Sequence, residues 1–325
     1  MQGKKILFLL IKILVGVGSA ALIWWRLRND LTPENVQLLK NAVFSWRGLI
    51  CAVLAIALIP INWGIEALKW KIITAPVESL TYSRATRSVY SGVCLGNLAP
   101  GRATEFVAKI LFFKPENRAK ITLLHFANGM IQLSVTILTG LAALLYRLNA
   151  TMSGATWLPL VAVVLSVVVL LAMVLLLLNL NRFMNWFTKR FNKTGEVTHF
   201  DYPLTGALFF KLWGWSVLRF AVFTLQFMLI LTLFASTTFT LTTLACILLY
   251  FFFTTVIPMF SVIEAAVRAA IALAVFNGLG MSETALAMAS VSIWMVNIIV
   301  PSIAGYIFLV QEDFDFKSSL KNLRK

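Results

Sequence analysis

"LGNLAPGRATEFVAK", residues 95–109, decides how this chain is read. It places a Pro-Gly pair, Arg102, Glu105 and Lys109 in a short stretch that apolar residues flank on both sides. A charged side chain at the centre of a membrane helix costs about 2.5–3.5 kcal/mol on insertion scales, so three facing lipid would together cost about 10 kcal/mol. The three must face one another, a cavity or the interface. Pro is tolerated in the first turn of a helix, where its missing N–H is not needed. The stretch therefore predicts a helix that breaks and starts afresh in or near a membrane.

Working outward, the rest of the chain is apolar enough for a membrane to be its solvent. Of 325 residues 60% are hydrophobic and 13% charged, whereas a soluble domain carries about 25% charged residues. Several runs exceed the roughly 18 apolar residues that mark a spanning helix. No segment alternates in polarity like a barrel strand. The expected fold is all-α: a polytopic transmembrane helical bundle, one integral membrane domain over 1–325, with about eight spans. Uninterrupted spans are predicted at 6–25, 49–68, 121–146, 158–178, 208–233, 241–256 and 291–310. Segments 89–113 and 258–279 carry internal charge and read as broken or re-entrant. Lys4 and Lys5 resemble the start of a signal peptide. The apolar run that follows is long for one, which favours a retained span.

Basic residues predict the orientation. Lys4 and Lys5, the run from Lys69 to Lys120, Arg182 to Lys193, and Lys317 to Lys325 place both termini and the basic connections on the cytoplasmic side of an inner membrane. Arg26, Arg28, Lys40 and Arg47 oppose this scheme, since it puts their loop outside. The formal net charge of +15 follows from the same bias and from anionic lipid head groups, and no soluble basic module is present to bind nucleic acid. The connection at 181–204 spaces Phe183, Trp186, Phe187 and Phe191 among Lys189, Arg190 and Lys193, which suits either an interfacial helix or an ordinary loop. Cys51, Cys94 and Cys246 are scattered in apolar stretches and fit neither a disulfide framework nor a metal site.

A second stretch repeats the first. "IPMFSVIEAAVRAAIALAVFNGLG", residues 257–280, again has a Pro (Pro258), then a Glu (Glu264), then a base at i,i+4 (Arg268), as Pro100, Glu105 and Lys109 do. Glu before Lys or Arg at that spacing is the favourable order on a helix. The alternative is that both pairs merely staple helices near the head groups. Broken helices in matching positions of two halves, here about 46–180 and 205–311 with a tail at 312–325, point to a transporter's central site.

These residues resemble the lysylphosphatidylglycerol synthase transmembrane region, the flippase-like integral membrane proteins. The resemblance runs from about residue 63 to 309 and rests on Asn97, Pro100, Gly101, Arg102 and Glu105, then on 258–268 and "NGLGMSETALAMA". Thr104 replaces the family's Gly before the first Glu; Ser261 to Glu264 replace a Gly-rich approach to the second base; Ala269 replaces an acid. His125, Asn128 and Gln132 stand where a charged motif is expected. The resemblance implies movement of a lipid or lipid-linked molecule between leaflets. The chain closes on "QEDFDFKSSLKNLRK" soon after its last span, so lysyl transfer by a fused soluble domain is not expected of it.

Enzyme signatures are missing from the sequence. His125 and His199 are the two histidines, and neither a nucleophile elbow nor a P-loop occurs. His125 and Asn128 at i,i+3 pose as an acyltransferase dyad but suit helix–helix hydrogen bonding better. Asn62 and Glu66, with Lys69 and Trp70 near the interface, suit packing or anchoring. No cofactor or metal is implied. The expected site is Asn97, Pro100, Gly101, Arg102, Glu105, Lys109, Pro258, Glu264 and Arg268. In it Arg102, Lys109 and Arg268 attract an anionic or isoprenoid-linked lipid head group, and Glu105 and Glu264 orient the bases. The alternatives are a non-transporting scaffold for an envelope-biosynthesis enzyme and a membrane-embedded lipid-carrier transferase.

Overall fold

Several helices begin on a hydroxyl that takes up a backbone N–H left free at the helix start. Ser45 accepts from Gly48 N at 2.9 Å, Thr81 from Arg84 N at 3.3 Å, Thr240 from Thr243 N at 3.1 Å and Ser282 from Ala285 N at 3.2 Å. The structure, a computed structural model, describes residues 32–312 apart from 98–101, 103, 152–156, 180, 183–184, 187–201, 203–204, 236 and 258–263. The described residues form helices α1 (Pro33–Val43), α2 (Trp46–Thr74), α3 (Tyr82–Gly96), α4 (Glu105–Ile110), α5 (Arg118–Thr151), α6 (Trp157–Leu178), α7 (Gly206–Ala235), α8 (Leu241–Val256), α9 (Glu264–Val275), α10 (Glu283–Trp294) and α11 (Val300–Gln311). No strand occurs among them.

Four helices in the described residues are long and apolar enough to cross a membrane: Trp46–Thr74, Pro115–Leu148, Gly206–Ala235 and Glu283–Gln311. They cover the spans expected at 49–68, 121–146, 208–233 and 291–310. The last begins well before its expected start, where Ser282 caps it. Between α10 and α11 the chain widens into a π-helical turn, Met295–Ile299. Pro301 explains it. Its missing N–H and its ring forbid an ordinary α bond to residue 297, and the wider turn absorbs the mismatch. The segment between the first two expected spans also contains α1, a helix where a loop is expected. The expected span at 6–25, Arg26 and Arg28, most of the 181–204 connection and the C-terminal bases lie outside the described residues.

Two buried apolar clusters flank the middle of the molecule. One joins Trp63, Trp70 and Ile73 of α2 to Val89 of α3, Phe112, and Ile121 and Leu124 of α5. The other joins Phe227 and Leu231 of α7 to Ile247 and Tyr250 of α8, Phe276, and Leu286 and Ile293 of α10. Val296, in the π turn, packs against both. Helix α2 lies along α7, α3 along α11, and α5 along α8. The α3–α11 approach is close because residue 305 is Gly: a Cβ there would collide with the Tyr90 carbonyl oxygen.

The ends of the 181–204 connection are pinned together. Asn181 donates to Tyr202 O and accepts from Tyr202 N, both at 3.0 Å. Burial pushes the Tyr202 phenol well above its usual range. It therefore keeps its proton and donates to Ile73 O, near the end of α2, at 2.6 Å. Cys51, Cys94 and Cys246 are free and buried, as small core residues.

Candidate functional site

Helix α2 presents Asn62, Trp63, Glu66, Lys69 and Trp70 in steps of three and four residues, which puts them on adjoining faces of the helix. All five are buried. A charge inside a membrane helix needs a partner, and Glu66 has several. Its carboxylate lies 3.4 Å from Lys69 Nζ, 3.9 Å from Lys109 Nζ and 3.3 Å from Arg219 Nη1. It also accepts from Asn128 Nδ2 at 2.8 Å. Lys69 passes the network on to Gln132 Oε1 at 3.0 Å, and Gln132 Nε2 donates to Ser216 O at 3.3 Å.

The break between α3 and α4 supplies the second group. Among the described residues Arg102 is the non-glycine residue held at positive φ, +58°. An L residue pays about 1–2 kcal/mol for that left-handed conformation, and such strain concentrates at functional sites. The guanidinium reaches Glu105 at 2.9 Å, and Glu105 also holds Lys109 at 2.8 Å. The helix thus restarts at Glu105, a turn later than a start on Pro100 would place it. Lys109 is fully buried because Gly92 on α3 leaves room: a Cβ there would come 2.9 Å from Lys109 Cγ. Trp70 Nε1 donates to Ser88 Oγ at 3.1 Å, and Ser88 donates to Lys109 O at 3.3 Å, which fixes α4 against α2.

The second charged stretch reaches the same place. Arg268 Nε donates to Glu264 Oε1 at 3.0 Å, and Arg268 lines the same cavity as Glu66, Arg102, Glu105, Lys109 and Arg219. The cavity holds about 560 Å³, within the size range of small-molecule sites. Aromatic and aliphatic side chains complete its wall, among them Trp63, Phe106, Phe126, Leu133, Phe223 and Phe251. In the cavity and its ion-pair network, Lys69, Arg102, Lys109, Arg219 and Arg268 face Glu66, Glu105 and Glu264. Five bases against three carboxylates leave two formal positive charges.

Of the expected site residues, Arg102, Glu105, Lys109 and Arg268 line the cavity, and Glu264 holds Arg268. Asn97 instead donates to Ser302 Oγ at 3.3 Å, tying the break to α11. Pro100, Gly101 and Pro258 lie outside the described residues. Glu66 is more than an anchor, since three bases and an amide converge on it. Asn62 donates to Asn297 Oδ1 at 2.8 Å, joining α2 to the π turn. Asn128 serves a helix–helix hydrogen bond, as expected, and His125 sits between the Trp70, Phe106 and Phe126 rings. Arg219 is the residue that sequence reasoning missed. It is a charge well inside a 30-residue apolar helix whose other base, Lys211, lies near its start, and that depth is the signal that marks it.

A family model described as the lysylphosphatidylglycerol synthase TM region matches residues 9–305, most of the chain. No curated protein matches the sequence.

Proposed function

The chain belongs to the lysylphosphatidylglycerol synthase transmembrane-region family, and from that premise we propose that it moves an anionic lipid or lipid-linked head group between membrane leaflets. One observation carries the reading: two charged stretches from opposite halves of the chain meet at one half-open cavity with an excess of positive charge. The head group enters the cavity while its acyl or isoprenoid tails stay in lipid. Arg102, Lys109, Arg219 and Arg268 attract it. Glu66 and Glu105 share the bases with the ligand, so each base of the empty site touches a carboxylate and the loaded site can release its cargo.

In this reading the protein is a multi-pass protein of the inner membrane with about eight spans and cytoplasmic termini. Segments 46–180 and 205–311 form two related halves, and their relative rocking exposes the cavity to each leaflet in turn. Arg102 and Glu105 survive at depth because their side chains line a cavity rather than lipid.

Purified protein in liposomes with head-group-labelled lipids tests the reading. Dithionite quenches the outer leaflet alone, about half of the label. Quenching beyond half for an anionic lipid, lost in Glu105→Gln, is the expected result. Quenching fixed at half for every lipid offered, isoprenoid-linked sugars included, overturns translocation and leaves the scaffold and transferase alternatives.

A further inference from the structure

The cavity carries a finer pattern than its net charge. Trp63 Nε1, Arg102 Nε and Arg219 Nε are buried donors with no hydrogen-bond partner among the described residues. All three side chains line the cavity. They also meet one another: the Arg219 guanidinium lies 5.1 Å and that of Arg102 5.9 Å from the centre of the Trp63 ring. Each arginine has its outer end committed to a carboxylate, Arg219 to Glu66 at 3.3 Å and Arg102 to Glu105 at 2.9 Å. What remains is inner N–H groups gathered on one indole. Trp and Arg only donate, so the three cannot satisfy each other and no rotation turns any of them into an acceptor.

Buried polar groups in folded proteins are almost always paired, and an orphan calls for an explanation. Trp63 and Arg219 are both more than nine-tenths buried. Three orphan donors around one ring, next to an excess of two positive charges, call for a ligand that accepts at several oxygens and carries two negative charges. Phosphate has that chemistry, and arginine is the side chain best suited to it.

Resting on the translocation reading, we infer that Trp63, Arg102 and Arg219 form a phosphate subsite, and that the cargo is a lipid ending in a dianionic phosphomonoester rather than a phosphodiester with one charge. A dianion neutralises the cavity. A monoanionic phosphodiester leaves one positive charge buried and has fewer free oxygens for three donors. The tail is glycerolipid or isoprenoid; the phosphate terminus is common to both.

The test is binding to the purified full chain in detergent, read by native mass spectrometry. Phosphatidic acid, phosphatidylglycerol with the same acyl chains and an isoprenyl phosphate are compared near about pH 8, well above the second phosphate pKa near 6. At least one phosphomonoester binds about tenfold or more tighter than phosphatidylglycerol, the worth of a hydrogen bond to a charged group. Tight binding of phosphatidic acid alone, of the isoprenyl phosphate alone, or of both identifies the tail and supports the subsite. Equal binding of phosphatidylglycerol and both phosphomonoesters overturns it, without need of any variant. Trp63→Phe keeps the ring and removes one donor, so it lowers the preference by about tenfold; a folded Trp63→Phe with an unchanged preference removes Trp63 from the subsite. Tight phosphomonoester binding without transfer of any lipid in liposomes would sink translocation and keep the subsite, whereas transfer with no such preference would do the reverse.

Discussion

The Glu66 carboxylate lies 3.3 Å from the Arg219 guanidinium, and it is the same carboxylate that stands 3.4 Å from Lys69. One acid on α2 thus serves as counter-ion to a base on its own helix and to another on α7. Removing one member of a buried ion pair costs about 3–5 kcal/mol, because the remaining charge has no counter-ion. Glu66→Gln keeps the shape and strands Lys69 and Arg219. Its midpoint of thermal unfolding in detergent should fall clearly below wild type. The double variant Glu66→Gln, Arg219→Gln should recover part of that loss, while lipid transfer stays absent. A double variant no more stable than the single one would mean that the pair is not coupled.

Arg102 combines a charge with a left-handed backbone, and two substitutions separate the contributions. Arg102→Ala removes the charge and keeps the strain; Arg102→Gly removes both. Both should insert normally, reach normal abundance and lose lipid transfer. The glycine variant should be the more stable by about 1 kcal/mol, the cost that a Cβ adds at positive φ. Wild-type transfer by Arg102→Ala would take this residue out of the site.

The pairs at Glu105–Lys109 and Glu264–Arg268 are legible in the sequence because i,i+4 spacing is local, and both form. So are the long helices, whose apolar runs exceed what a membrane core requires. The meeting of the two pairs at one cavity is not legible. It depends on which faces of α2, α5 and α7 turn inward, and that is set by packing between residues far apart in sequence. Glu66 and Lys69 illustrate this: at i,i+3 near a helix end they look like an anchor, and only Arg219, Lys109 and Asn128 make them a hub. The π turn has one local cause, Pro301, but its partner is Asn62 on α2, beyond the reach of local reading.

Two glycines on neighbouring elements should separate fold from site. At Gly305 a Cβ would strike the Tyr90 carbonyl, which is backbone and cannot turn aside. Gly305→Ala must push α11 from α3, and such overpacking costs about 1–3 kcal/mol. At Gly92 the obstacle is mainly the Lys109 side chain, which can shift. Gly92→Ala should cost less stability than Gly305→Ala, yet displace Lys109 from Glu105 and slow transfer. Equal thermal unfolding of the two variants, both with normal transfer, would show that neither close approach matters.

Gly129 poses the opposite case. It lines the cavity, and a Cβ built on it meets nothing within 4 Å. A Cβ there enters open space beside Asn128, so Gly129→Ala displaces no neighbour. Gly129→Leu also replaces Gly within α5 by a strong helix former, which favours the helix by about 1 kcal/mol. The variant should therefore be as stable as wild type or more so, and should still hold the Glu66–Arg219 pair. Yet it occupies volume that a head group needs, so transfer in liposomes should fall steeply while circular dichroism and unfolding temperature stay normal. Graded side chains make the point quantitative: Gly129→Ala should reduce transfer less than Gly129→Leu, and Gly129→Trp should abolish it. Because stability does not fall along that series, a matching loss of transfer reports occupation of the cavity itself. Full transfer by a folded Gly129→Trp would mean that cargo crosses by another route.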